Sequence, residues 1–336
     1  MADTTRRTLS QDDSLPPVEP PNAAFLVQLF LVPGVIVAII VGVWLAFHWL
    51  AHLGSDPQAY VKTLRRDNEG RWQAALNLAN DLRGPGGGAL KSDESLATEL
   101  GRILDDEAAS GRSGEQSQTL RLYLCRALGE FAIPAAAAPL VARAKNLADP
   151  QTARAAVEAL AVLTTNLVAS GRSFDDAAGV TTAVVAASQS DDAQLRSASA
   201  FTLGVLGGPG AVERLGQLAS DVADDVRFNA ALALARQGRE ESYEAIMEML
   251  ALPDVVVGPD AATDPAAQSR RYKRALVVVN ALRGVALLVD ATHEQPPRQL
   301  LDRVEELTQD PVGDVRSSAT ALLKKIERLA KPAAAG

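Results

Sequence analysis

Histidines are the first side chains in this sequence that could carry out chemistry, because imidazole binds metal ions and transfers protons near neutral pH. His48 and His52 lie four residues apart, which places both rings on one face of a helix, a spacing that can bind a metal ion. No carboxylate or cysteine accompanies them, so we interpret both as residues of a membrane interface. His293 lies in a Thr-His-Glu-Gln-Pro segment without an evident partner. The histidines therefore predict no metal site.

Adjacent acids could suggest a glycosidase or a cation site, since both use paired carboxylates. The pairs are Asp105-Asp106, Asp175-Asp176, Asp191-Asp192, Asp224-Asp225, Glu240-Glu241 and Glu305-Glu306. Most lie at predicted helix starts or on solvated faces, where a carboxylate accepts hydrogen bonds from free N–H groups and suits the helix dipole. The sequence also contains no phosphate loop, Gly-x-Ser-x-Gly elbow or His-Glu-x-x-His motif. We predict no catalytic residue and no enzyme activity.

The single cysteine and the net charge exclude further classes of site. Cys125 is the only cysteine among 336 residues, which excludes an internal disulfide and a cysteine-rich metal centre. We interpret it as a small buried apolar residue of a helix. The net charge of −8 disfavours a general nucleic-acid binder, which must neutralise phosphates. We predict neither a cofactor nor a nucleic-acid partner.

A basic cluster, residues 270–274 (Arg-Arg-Tyr-Lys-Arg), is the strongest local charge. It could face an acidic partner or anionic lipid, or it could be the solvated first turn of a helix. The sequence leaves these alternatives open.

A sequence pattern, the repeated frame, recurs along the rest of the chain and predicts the helices that would position any functional surface. Each copy has an acid, an apolar residue, an arginine and then a helix of small residues. A leucine follows the arginine after seven residues. The clearest copies are Asp192-Arg196-Leu203, Asp224-Arg227-Leu234 and Asp314-Arg316-Leu323. Arg71 with Leu78 and Arg121 with Leu128 lack the acid, whereas Arg154 and Arg274 are out of step by one residue.

The repeated leucines set the period of the fold. They are residues 78, 128, 160, 203, 234, 282 and 323, spaced by 31 to 50 residues. Such a period predicts an all-α solenoid of about seven helix pairs. The first helices of the pairs are predicted at 57–66, 94–108, 135–147, 175–188, 210–220, 240–251 and 297–309. A non-helical insertion is expected from Pro253 to Ser269, within the sixth repeat.

Each residue type of the frame has a physical role. The acid caps the helix, alanine allows close helix approach, leucine is buried, and Gly207 or Gly238 ends the helix with positive φ. We expect the arginines to pair with acidic caps of neighbouring units. We call this set the arginine ladder: Arg71, Arg121, Arg196, Arg227 and Arg316, with Asp192, Asp224 and Asp314. Its predicted role is structural.

The pattern Asp-x-x-Val/Leu-Arg-x-x-Ala-x-x-x-Leu-Gly resembles the HEAT repeat, in particular the short bacterial variety also seen in phycobilisome lyases. The resemblance covers roughly residues 57 to 330. It implies right-handed, armadillo-like stacks of helix pairs whose second helices line a concave surface.

A different element precedes the repeats. Residues 23–53 contain no Asp, Glu, Lys or Arg, and Leu29 to Phe47 is apolar throughout. These nineteen residues rise about 28 Å as a helix, close to the hydrocarbon thickness of a bilayer. Trp44 and Trp49 suit the interface at the far end. The sequence predicts a single transmembrane helix, and its far end, Phe47-His48-Trp49-Leu50, lacks the small-x-small cleavage site of a signal peptide.

Charges beside this helix predict its orientation. Lys62, Arg65, Arg66 and Arg71 follow closely, whereas the preceding fifteen residues carry only acids. Positive residues tend to stay inside, so we expect an inner-membrane protein with cytoplasmic repeats.

Small residues recur every four positions along this helix, at Gly34, Ala38, Gly42 and Ala46. That spacing allows close helix approach and favours a homodimer, although glycine and alanine are also common in membrane helices by chance.

The predicted organisation is a disordered tail at 1–22, a transmembrane helix at 23–53, the repeats at 54–331 and a loose tail at 332–336. Its predicted function is a membrane-tethered scaffold whose concave surface binds a protein partner or membrane complex. The alternative, implied by the resemblance alone, is a lyase or chaperone-like protein for a bound pigment.

Overall fold

The computed structural model describes residues 23–52, 57–66, 68, 70–253 and 264–330, without the side chains of 23, 25, 26, 48–52 and 330. The predicted tails at 1–22 and 332–336 and most of the predicted insertion, 254–263, lie outside these residues. The chain divides into two units, Met1–Ser55 and Asp56–Gly336.

The first unit contains one helix, α1, Ala23–His52, with Pro33 inside it. Its segment Val27–Phe47 spans 21 residues with a mean hydropathy of 2.7, and none of its most apolar window is buried within the chain. Length and composition therefore suffice to cross a bilayer.

The second unit is built from paired helices. The seven first helices are α2 Pro57–Leu64, α4 Glu94–Ala109, α6 Ala137–Ala144, α8 Ala177–Ala187, α10 Pro209–Leu218, α12 Tyr243–Leu250 and α14 Arg298–Leu307. The seven second helices are α3 Arg71–Arg83, α5 Glu115–Gly129, α7 Pro150–Ala169, α9 Ala193–Leu206, α11 Asp224–Arg236, α13 Pro265–Thr292 and α15 Gly313–Ala330. Short 3-10 helices precede α4, α6 and α12, and no strand occurs among the described residues. The predicted all-α solenoid is confirmed.

The second helices form the continuous layer of the repeats. Each of them packs against the neighbouring second helices and against the first helix of its own repeat, whereas neighbouring first helices meet through fewer residues. Two apolar clusters fill the space between the layers, one from Leu64 to Leu234 and one from Phe228 to Ile326. Residues of α11 contribute to both clusters, so α11 joins the two parts of the core.

The helix that follows the predicted insertion begins earlier than expected. Asp264 caps α13 by accepting a hydrogen bond from the Ala266 N–H at 2.9 Å, and Pro265 occupies the first turn, where its missing N–H costs nothing. Residues 265–269 are therefore helical, and the expected non-helical segment is wrong there. At 28 residues α13 is also long and apolar enough to cross a bilayer, but 44% of its most apolar window is buried against the rest of the repeats.

Glycine directly after the leucine of the repeated frame permits the close approach of second helices. A Cβ on Gly129 would lie 2.9 Å from the Cα of Ala159 in α7, and a Cβ on Gly204 would lie 2.5 Å from the Cβ of Ala233 in α11. The equivalent residue of α15, eight positions after Arg316, is Lys324, and it is exposed because no described helix packs there. Gly207 and Gly238 adopt positive φ after α9 and α11, as predicted.

We expect Gly204→Ala to destabilise the fold by about 1–3 kcal/mol, since the added methyl group forces α9 away from α11. Gly216→Ala on α10 is the matched control: its Cβ would meet nothing within 4 Å, so the better helix propensity of alanine should leave stability equal or higher. Thermal denaturation of both variants, followed by circular dichroism, tests this; equal melting temperatures would contradict it.

Candidate functional site

The arginine ladder is the most regular polar feature of the repeats, and Arg196 shows its geometry most clearly. The side chain of Arg196 donates from Nε and Nη2 to the two carboxylate oxygens of Asp221, both at 2.8 Å. Its Nη1 donates to the backbone carbonyls of Ser190 and Asp191 at 3.0 Å. One guanidinium thus satisfies the turn of its own repeat and holds the turn of the next repeat.

Arg227 and Arg316 repeat the backbone part of this arrangement. Arg227 donates to the Asp221 carbonyl at 2.8 Å, and Arg316 donates to the Asp310 carbonyl at 2.7 Å. In each case, as for Arg196 and Ser190, the acceptor lies six residues before the arginine. Arg227 also pairs with Glu248 on α12 of the next repeat. The equal spacing explains why the arginine recurs at one position of the frame.

The two earlier copies use the same principle with different partners. Arg71 donates to the Leu64 carbonyl at 2.8 Å and pairs with Glu107 of the next repeat at 2.7 Å. Arg121 pairs with Asp149 of the next repeat at 3.2 Å and donates to the Arg112 carbonyl at 3.1 Å. Both guanidinium groups are largely buried. Loss of the acid from the frame therefore does not remove the ladder contact.

Glu107 is the most deeply buried carboxylate of this network, with 1% of its side chain exposed. Burial alone would raise its pKa, but hydrogen bonds from Ser117, Arg112 and Arg71 outweigh it and lower the pKa of Glu107. Ser117 also connects this network to Arg121, which donates a hydrogen bond to the Ser117 hydroxyl at 2.9 Å. These contacts compensate the buried charge and stabilise the first repeats.

Arg274 belongs to the ladder although its sequence frame is out of step. It pairs with Asp310 at 2.7 Å and donates to the Leu252 carbonyl at 3.0 Å. Its side chain is 7% exposed and that of Asp310 is 3% exposed, which makes this the most buried pair of the ladder. The pKa of Asp310 is lowered: burial opposes this, but the Arg274 hydrogen bond and the Val312 N–H prevail. The frame missed this pair because Ala281 occupies the leucine position.

Arg154 does not join the ladder. Ala153, fully buried, takes the frame position on α7, while Arg154 faces outward and contacts Glu158 at 3.7 Å and Gln194. The contact of α7 with α9 instead includes a buried neutral hydrogen bond, from the Thr202 hydroxyl to the Val157 carbonyl at 3.0 Å. The ladder is therefore interrupted at α7, between Arg121 on α5 and Arg196 on α9.

The acids assigned to the ladder from sequence are not its main partners. Asp192 caps its own helix by accepting from the Leu195 N–H at 2.8 Å, and Asp224 contacts Arg227 within α11 rather than across repeats. Asp314 lies in the first turn of α15 and forms no ion pair with another described residue. The bridging acids lie instead in the turns or on the first helix of the next repeat: Glu107, Asp149, Asp221, Glu248 and Asp310. Asp221 shows why turn acids suit this role, because it also accepts from the Ala223 N–H at 2.9 Å.

The residues expected to pack in the membrane lie exposed on α1. Gly34, Ala38, Gly42 and Ala46 are uncovered, and a Cβ on either glycine would meet nothing within 4 Å. The side chains of His48 and His52 lie outside the described residues.

Groups able to carry out chemistry are scarce in the described part of the chain. Burial raises the pKa of the Cys125 thiol to about 12, so the reactive thiolate is disfavoured. No group of three His, Cys, Asp or Glu side chains that could hold a metal occurs among the described residues. His293 ends α13 in the left-handed region, with φ 56°. None of these positions resembles a catalytic centre.

Most exposed apolar side chains of the repeats lie on the second helices, while Leu147 and Val222 are exposed in the turns before α7 and α11. Val162 and Val168 on α7, Phe201 on α9, and Tyr272 and Leu276 on α13 are each at least 39% exposed. Among the described residues of the repeats, no large apolar side chain of a first helix is equally exposed. Beside Phe201 lies a groove of about 690 Å³ between α7, α9 and α11. Near the first repeats, Trp72 stacks on Tyr123 with ring centres 6.2 Å apart, and Arg126 lies over the Tyr123 ring.

Comparison with known proteins adds a family name to part of this architecture. Residues 181–258 match the family model for HEAT repeats. This segment contains most of α8, all of α9 to α12, and the ladder residues Arg196 and Arg227. The HEAT frame expected from the sequence is therefore supported in the middle of the chain.

Solved structures and curated proteins give weaker comparisons. An engineered protein is 18% identical with a TM-score of 0.33, covering 82% of this chain and 98% of its own. Human deoxyhypusine hydroxylase in complex with glycerol is 17% identical with a TM-score of 0.29, covering 81% and 96%. A second engineered protein is 15% identical with a TM-score of 0.29, covering 81% and 99%. A search of curated proteins found no match. At these TM-scores the structural likenesses carry no argument about function.

We expect Arg274→Met to destabilise the protein by about 3 kcal/mol or more, because it leaves the Asp310 carboxylate buried without its cation. Arg154→Met, outside the ladder and more exposed, should change stability by less than about 0.5 kcal/mol. Denaturant unfolding of the full chain in detergent compares the two variants. Equal losses would show that burial in the ladder does not determine the role of an arginine.

Proposed function

We propose that this chain is a membrane-tethered scaffold that presents the exposed surface of its second helices, the predicted concave side, to a protein partner. The observation that carries the proposal is the location of the exposed apolar side chains, which lie on second helices at Val162, Val168, Phe201, Tyr272 and Leu276. Contiguous exposed apolar surface marks interaction sites, and Phe201 borders the groove between α7, α9 and α11. The ladder arginines are engaged within the fold, which supports a structural role for them and leaves binding to these other residues.

The helix α1 supports the tether. Its apolar segment Val27–Phe47 has the length of a bilayer span, and none of its most apolar window is buried. Lys62, Arg65, Arg66 and Arg71 follow it, so we propose the inner membrane as its location and the cytoplasm as the site of the repeats. A reporter enzyme that is active only outside the inner membrane, fused after Gly336, should therefore stay inactive; activity would reverse the orientation.

The small residues of α1 support a homodimer through the membrane helix, as a secondary part of the proposal. Gly34 and Gly42 border open space, so Gly34→Ile with Gly42→Ile adds bulk without a clash inside the chain. Large side chains would hold two helices apart and should reduce the crosslinked dimer in membranes. An unchanged dimer fraction would remove this surface from the interface.

Photo-crosslinking tests the scaffold itself. A photoreactive amino acid at Phe201 on α9 should give a discrete crosslinked protein in intact membranes, whose mass spectrum identifies the partner. The matched control is the same amino acid at Glu213, an exposed position on the first helix α10. Crosslinking from Glu213 alone, or equally from both positions, would contradict the use of the second-helix surface.

A further inference from the structure

The second-helix surface contains a groove between α13 and the first turn of α15. Its volume is about 670 Å³. The α13 side carries two arginines separated by apolar residues, and the α15 side carries Val312 and two serines. The residues that argue for a site are Arg271, Tyr272, Leu276, Val279, Arg283 and Asp314.

The two arginines lie at opposite ends of the α13 side of this groove. Arg271, Ala275, Val279 and Arg283 follow at intervals of four residues, so they share one side of the helix. Twelve residues of helix separate the Cα atoms of Arg271 and Arg283 by about 18 Å. Between them Leu276 is 46% exposed and Val279 is partly exposed. The groove therefore alternates cation, apolar surface and cation.

The two arginines of the groove form no direct ion pair among the described residues, although Arg271 acts on Asp310 through its charge. The neighbouring Arg274, in contrast, pairs directly with Asp310. The Nε of Arg271 is buried without a hydrogen-bond partner among the described residues. Asp314 is the single acid among the lining residues, and Lys273, exposed next to Tyr272, is a further cation on α13.

We propose that this groove binds an acidic, apolar-centred segment of a protein partner, with two carboxylate-bearing positions that contact Arg271 and Arg283 and apolar side chains that cover Leu276 and Val279. This inference rests on the proposed scaffold function. An extended segment advances about 3.3 Å per residue, so carboxylates five or six residues apart span the distance between the arginines. Arginine also suits bidentate recognition of a carboxylate.

A protein segment fits the groove better than a lipid headgroup does. An anionic headgroup would use the cations alone, whereas the apolar surface between the two arginines requires a ligand with apolar groups at its centre. Tyr272, 66% exposed beside this surface, supplies further contact area of the kind enriched in protein interfaces.

A peptide of defined sequence tests the proposal with the full chain in neutral detergent. The labelled probe has two glutamates, four residues alternating leucine and serine, and two glutamates; the matched probe replaces each glutamate by lysine. We expect the acidic probe to bind at least about tenfold more tightly than the basic probe in fluorescence anisotropy. Equal binding of both probes would overturn the proposal.

Variants locate the binding. Arg271→Gln with Arg283→Gln should weaken the acidic probe at least about tenfold, because each change removes one charge-assisted contact. Leu276→Ser should also weaken it, whereas Arg298→Gln, at an exposed arginine of the first helix α14, should leave it unchanged. Unchanged melting temperatures would show that the variants fold. Equal losses in all three variants would overturn the proposal, because they would indicate nonspecific attraction.

Two further outcomes distinguish failure of the peptide site from failure of the proposed scaffold function. If the double variant loses binding of a short-chain anionic lipid but not of the acidic probe, the groove is a lipid site and the proposal fails. If the acidic probe does not bind, while the Phe201 crosslink persists in the double variant, the scaffold stands and its binding surface lies elsewhere.

Discussion

The repeats depend on one recurring interaction, the hydrogen bonding of an arginine to the backbone of a turn and to an acid of the next repeat. A turn between two packed helices leaves carbonyl groups that need donors. A guanidinium offers five N–H donors in a planar fork, enough to satisfy such carbonyls and to hold a carboxylate at the same time. Arg196 does both, through the Ser190 carbonyl and the Asp221 carboxylate. The same side chain thus fixes the pairing of helices within a repeat and the register between repeats.

Close packing of the second helices imposes the second constraint. The residue after the leucine of the frame is glycine at two close contacts between second helices, Gly129 and Gly204, where a Cβ would clash with the neighbouring helix. The slim, alanine-rich composition of these helices serves the same contact, and it explains the low aromatic content of 4%. Larger side chains such as Phe201 and Tyr272 lie where no described helix covers them and are exposed. The surface available for binding is in this sense a result of how the core is packed.

Sequence patterns predicted the helices better than the contacts between them. All seven first helices lie within or close to the predicted ranges, because capping acids, helix-ending glycines and leucine spacing are local signals. The acidic partners of the ladder arginines were harder to predict from the sequence. A pairing such as Arg196 with Asp221 joins two repeats and depends on the register of their turns. Arg274 was placed out of step because Ala281 stands seven residues after it and the leucine, Leu282, comes one residue later, yet its pair is the most buried. Asp192 carries a strong capping signal, and in the structure its carboxylate accepts the capping hydrogen bond rather than one from Arg196.

Because the ladder is interrupted at α7, neighbouring repeats are not all held together by the same kind of interaction. The ion pairs between arginines and carboxylates of neighbouring repeats weaken as salt screens charge. The effect is largest for exposed pairs such as Arg227 with Glu248. The joint between α7 and α9 relies on apolar contact and on the neutral bond from Thr202 to Val157, which screening does not reach. Salting-out ions strengthen apolar burial. A salting-out salt therefore acts in opposite directions on neighbouring helix contacts of one stack, so that the order in which its parts loosen is set by the solution as well as by the sequence.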